Sequence, residues 1–225
     1  MSVTSGMNAI AHAAEGLYAQ DSNPVMDLMA EEGIRAIAQA LPVIHQRADD
    51  VAARGDALYG AWLCGSVLGN VGMALHHKLC HTLGGSFNLP HAEVHTVVLP
   101  QAMAFNAAAA PEAMRRIERA LGATGRASAA AGLFDLAHTN GAPVALKDIG
   151  MNEADLDRAA EIAVSNPYWN PRPFGAAQRG EIRDLLQRAY EGIRPDLRPS
   201  AHDGLGTPPY RVFVRERQGE VHLFF

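Results

Sequence analysis

Residues 73–99 read MALHHKLCHTLGGSFNLPHAEVHTVVL, and the fold turns on how they are read. Five of the ten histidines fall here: His76, His77, His81, His91 and His95. Side chains four apart lie one turn above each other on a helix, so a helix over 73–82 puts His77 and His81 on one face. Gly84 and Gly85 are expected to end that helix, and Asn88-Leu89-Pro90 to turn the chain. Pro90 suits the first turn of a second helix carrying His91 and His95, again four apart. Two helix ends then converge with four imidazoles. A lone histidine is ordinarily a satisfied core or surface residue. Paired spacing points instead to metal ligation or proton transfer, for which imidazole is suited near neutral pH.

A weaker signal opens the chain, where Asn8 and His12 are also four apart among small residues. Small neighbours let a partner helix come close and leave these polar heads in a cavity, so the site is expected to join two distant segments, as bundle-core sites do. The remaining elements follow the same helical period. Helices are expected over 6–19, from the cap Asp21-Ser22-Asn23-Pro24 to Leu41 with an interruption at Pro42, and over 49–68, 90–110, 111–121, 126–140, 152–164 and 175–192. Gly65, Gly69 and Gly72 are expected to permit close helix packing. Residues 165–174, SNPYWNPRPF, read as a loop from their prolines and asparagines. No strand alternation precedes residue 200. The expected class is therefore all-α, a helical bundle over 1–198, followed by an atypical tail over 199–225 in which Tyr210 to Glu216 and Val221 to Phe225 suggest a hairpin.

Composition narrows the function. A net charge of -5 and a pI near 6.0 supply no basic surface for nucleic acid. No apolar run nears the length that crosses a membrane, and the N-terminus lacks a signal-peptide pattern, so a cytoplasmic location is expected. Cys64 and Cys80 form no CxxC pair and read as small buried hydrophobes in a reducing compartment.

Three segments, GMNAIAHAAEGLYA, HHKLCHTLGGSFNLPHAEVHTVVLP and NPYWNPRP, together resemble the C-terminal helical domain of the iron-containing (group III) alcohol dehydrogenase superfamily, whose fold is dehydroquinate synthase-like. Within it the chain is most similar to the maleylacetate reductases. In metal-dependent members an Asp and a His four apart, plus two His fourteen apart, hold a divalent ion. The resemblance places Asn8, His12, His77 and His91 at those positions, with His81 as a further active-site histidine near the nicotinamide. Asn8 departs from the carboxylate there. Three neutral imidazoles with an amide suit Zn²⁺ acceptably but make a poor cage for Fe²⁺. Histidines freed from a metal can bind a substrate ketone or carboxylate and deliver a proton.

The implied activity is NAD(P)H-dependent reduction of 2-maleylacetate to 3-oxoadipate, with His12, His77, His81 and His91 catalytic and Asn8, Lys78 and Arg172 contacting a dicarboxylate. The resemblance also implies an α/β dinucleotide-binding domain ahead of residue 2. This sequence spells no GxGxxG after a strand, so nicotinamide chemistry is expected to need that other half, and the chain alone to be inactive. Homodimers are common in the family. Two alternatives stay open: a metal-dependent alcohol dehydrogenase domain, and a non-catalytic helical domain.

Overall fold

The computed structural model describes residues 2–123 and 127–195. Among them nine α-helices and three short 3₁₀ turns form, with no strand. The all-α expectation holds there, and the tail over 199–225 lies outside the described residues.

Helix α1 (Ser2–Gly16) packs against α2 (Pro24–Gln46), α3 (Val51–Leu68) and α5 (His91–Asn106). Helix α4 (Leu75–Phe87) pairs with α5, and α6 (Pro111–Ala120) and α7 (Ala129–Thr139) cover α2 and α5 respectively. Helices α8 (Leu156–Ser165) and α9 (Arg179–Glu191) close the other side. Helix α5 is the axis. Every residue from Val94 to Met103 is buried, as befits a helix apolar on all sides. One core cluster, with Met7, Ile10, Ile34, Ile37 and Ile117, gathers on Leu99 and Met103. The other, with Leu75, Leu79, Leu156 and Leu186, gathers on Val94, Val97 and Val98.

Three local expectations are overturned. Pro42 does not interrupt α2, which runs on to Gln46. A proline in an interior turn removes one backbone bond, and here burial of Leu41 and Ile44 carries the helix past it. Gly84 and Gly85 do not end α4 either, because Leu83 and Phe87 pack on the second cluster and draw the helix on. It stops instead at Asn88, in the left-handed region at φ 54° that asparagine tolerates. Third, Gly65 meets nothing within 4 Å, so the trio at 65, 69 and 72 is not the packing device. Gly33 and Gly60 are. A Cβ on Gly60 would lie 2.6 Å from Ile37 Cγ1 and 3.0 Å from the Gly33 carbonyl, and one on Gly33 would lie 2.7 Å from Cys64 Sγ. Both cysteines are free and buried, as expected.

Candidate functional site

Asn8, His12 and Glu15 follow one face of α1, between small or apolar residues such as Met7, Ala11 and Ala14 that are wholly buried. That face meets the start of α4. The sequence before α4 offers no local cap, and Ala74 makes no side-chain cap bond. Glu15 supplies the cap from 59 residues away: its carboxylate accepts from the backbone N–H of Ala74 (2.8 Å), His76 (2.7 Å) and His77 (3.3 Å). Asn170 Oδ1 takes the fourth, from Leu75 N at 3.4 Å. All four orphan donors of the helix start are thus met by distant side chains, and a negative charge lies where the helix dipole favours it.

Glu15 also accepts from Tyr18 Oη (3.2 Å) and from His77 Nδ1 (2.7 Å). A carboxylate only accepts, so Nδ1 of His77 carries a proton and Nε2 presents its lone pair. That Nε2 is buried and has no partner. Around it stand five more imidazoles. Ring centroids lie 5.1 Å from His12, 5.2 Å from His76, 6.1 Å from His81 and 5.0 Å from His95, while His91 is 4.3 Å from His95. The structure therefore brings together Asn8's helix, His12, His77, His81 and His91, four of them named from sequence as catalytic.

Burial sets the charge state. It is the largest cause holding His12 down to about 4 and His95 down to about 2, with the neighbouring imidazoles adding to it. His76 is pushed well below the ordinary value, and His81 is lowered, for the same reason first. These rings are neutral at pH 7, ready to donate or accept hydrogen bonds.

The loop over 165–174 takes part through residues other than the one nominated. Tyr168 Oη lies 2.8 Å from His81 Nδ1, and Lys78 Nζ sits 5.5 Å from the centre of the Tyr168 ring. Asn170 and Asn106 exchange amide hydrogen bonds (2.8 and 2.9 Å), and Asn106 also donates to Tyr18 Oη. Arg172 instead stacks 3.9 Å from the Phe105 ring centre, donates to the Phe105 carbonyl and pairs with Glu181.

Sequence reasoning passed over Glu15, His76, Tyr168 and Asn170 and gave no role to His95. The signals were faint: Glu15 continues the face of Asn8 and His12, and His95 follows His91 by four.

An iron or zinc ion would call on His12, His77, His91 and Asn8. Among the described residues, the only three or more ligand groups lying within 4.8 Å of one another are His76, Cys80 and His95. Position 8 offers a neutral amide, so the nominated set does not fit a tightly held hard cation.

The model of the Fe-containing alcohol dehydrogenase family, C-terminal, matches residues 2–190. A maleylacetate reductase of Burkholderia cepacia is 62% identical over 195 residues, covering 87% of this chain and 54% of its own length. Among solved structures, maleylacetate reductase from Agrobacterium tumefaciens superposes with a TM-score of 0.81 at 56% identity, over 86% of this chain and 53% of that one. A putative alcohol dehydrogenase from Ralstonia eutropha JMP134 gives 0.83 at 71% identity, over 86% and 54%. The chain spans about half the length of the curated relatives it matches. With the family model covering α1 through most of α9, the chain belongs to the Fe-containing alcohol dehydrogenase family, C-terminal part.

Proposed function

We propose that this chain is the helical half of a maleylacetate reductase, which reduces 2-maleylacetate to 3-oxoadipate with NADH or NADPH. One observation carries the reading. Among the described residues, the buried side-chain polar atoms without a partner are Asn8 Oδ1, His77 Nε2 and His95 Nε2, all in the histidine site. Buried polar atoms are normally paired, so three orphans in one place are a binding site awaiting a polar ligand. The family relatives named maleylacetate reductase make a dicarboxylate with a conjugated ketone the ligand of choice.

NAD(P)H, when bound, supplies the hydride. It adds to the olefinic carbon β to the ketone, and the π pair moves to form an enolate. His77 first takes a proton from solvent onto Nε2, with Glu15 against Nδ1 balancing the charge, then gives that proton to the carbon α to the ketone and returns to its lone-pair form. His81, braced by Tyr168, and His12 orient the reacting carbons, while Lys78, on the same tyrosine, receives a substrate carboxylate. His91, exposed at the mouth, exchanges protons with water. Arg172, engaged with Glu181 and Phe105, holds the loop and reaches substrate only if it leaves them. No step runs through a metal. We propose a cytoplasmic homodimer as the working form, which light scattering reads directly.

The test is NADH oxidation with maleylacetate, on this chain alone and mixed with the nucleotide-binding half of a relative. Activity only on mixing, with substoichiometric metal and a loss of most turnover in His81→Ala, is expected. Stoichiometric tight metal with alcohol oxidation would replace this reading with the alcohol dehydrogenase one, and inactivity under both conditions would leave a non-catalytic domain.

A further inference from the structure

The family resemblance gives His95 no role, although the residue falls within one of the segments that carry it, and it lies at the centre of the site. It is wholly buried, and its ring centroid is 4.3 Å from His91, 5.0 Å from His77 and 6.2 Å from His12, the histidines that the motif assigns to a metal. Its Nε2 has no partner. Its Nδ1 lies 3.1 Å from Nε2 of His76, itself wholly buried, and the Cys80 thiol sits 3.5 Å from that same Nε2.

The two inner histidines invert the arrangement at His77. Glu15 forces His77 to show a lone pair to the site. Among the described residues no carboxylate bonds the ring of His76, so it can donate from Nε2 to His95 Nδ1 and leave the proton of His95 on Nε2. A substrate that carries a ketone and two carboxylates offers acceptors, and a buried N–H donor answers one of them. A single neutral donor at this depth suits the ketone better than a full carboxylate, whose burial needs several donors. With a neutral amide at Asn8, where the resemblance puts a carboxylate ligand, polarising a ketone here calls for a hydrogen-bond donor in place of an ion.

We propose that His95 is a catalytic residue whose Nε2–H hydrogen-bonds the ketone oxygen of the substrate and stabilises the enolate, with His76 as the positioning residue that sets its tautomer. The assignment rests on the reductase reading above. When the β carbon receives the hydride that NAD(P)H would supply as the two-electron reductant, the C=C pair becomes the enolate and negative charge gathers on the oxygen facing His95. Proton delivery from His77 to the α carbon then restores the ketone, so His95 keeps its own proton throughout. A preorganised donor of this kind acts where charge develops.

Two measurements on this chain decide it. In ¹⁵N-histidine NMR, His95 is expected to be protonated at Nε2, and His76→Phe to mix its tautomers; a lone pair on Nε2 in the wild type overturns the proposal. In calorimetry, the wild type is expected to bind 3-oxoadipate about tenfold more tightly than adipate, which lacks the ketone. His95→Leu should erase that preference while still binding adipate, and His95→Gln, which keeps a donor, should restore part of it. Equal preference in wild type and His95→Leu overturns the proposal alone. A wild-type chain that binds neither diacid overturns the reductase reading with it. A cobalt titration producing a thiolate-to-metal band would place an ion on His76, Cys80 and His95 and also overturn it, since that ion would occupy the nitrogens of the hydrogen bond.

Discussion

Two helix contacts in this molecule are equally buried and opposite in kind. Where α2 crosses α3, Gly33 and Gly60 have no side chains, so backbone meets backbone and the small and apolar side chains of Ile37, Leu63 and Cys64. Where α1 crosses the start of α4, a charged Glu15 and the imidazoles of His76 and His77 fill the space. The first contact tolerates nothing added, because close-packed interiors resist extra volume. The second tolerates nothing removed, because each buried polar group depends on its partner. Rigidity comes from both, but only the second leaves atoms unpaired and hence available to a ligand.

Substitution at Glu15 should break the polar contact most severely. Glu15→Ala strands three backbone N–H groups and the His77 ring, and is expected to cost about 3–5 kcal/mol in chemical denaturation. A loss below 1 kcal/mol would mean that water replaces the carboxylate.

Acid attacks the same contact. Unfolded, His12 takes a proton near 6.5, whereas folded it resists until about 4. Between those values the unfolded chain binds protons that the folded one refuses, so stability is full above 6.5 and is lost as pH falls towards 4. His76, His81 and His95 are shifted in the same direction and steepen the loss. A melting temperature flat from pH 7 to 5 would contradict the neutral cluster.

The apolar contact breaks by addition. Ala is the better helix former by ~0.5–1 kcal/mol, but overpacking costs ~1–3 kcal/mol. With backbone as well as Ile37 in the way, Gly60→Ala is expected to destabilise by about 1 kcal/mol net. Back in the polar region, Tyr168→Phe removes the hydroxyl that lies 2.8 Å from His81 Nδ1, and turnover of the reconstituted enzyme should fall up to about tenfold with folding unchanged. The smallest effect has the opposite sign. Gly65→Ala on the open face of α3 should stabilise by ~0.5–1 kcal/mol, and a loss there would show that α3 is covered by something further.

How much of this was legible follows the range of the physics. Apolar residues at helical spacing announced the helices, and the four-residue spacing of His77 with His81 and of His91 with His95 announced the site, because periodicity is a local property written into the chain. The ends were less legible: Pro42 and Gly84 are breakers by local preference, and burial of Ile44 and Phe87's packing overrode them. The sequence by itself therefore determined the helical class of the described residues and which imidazoles share a face. Tertiary structure alone decided that Glu15 caps α4 across 61 residues to His76, which nitrogen of His77 faces the site, and that His95 leans on His76. A hydrogen bond between residues so far apart leaves no periodic trace, since it depends on where two helices cross and on which atoms they leave unpaired there.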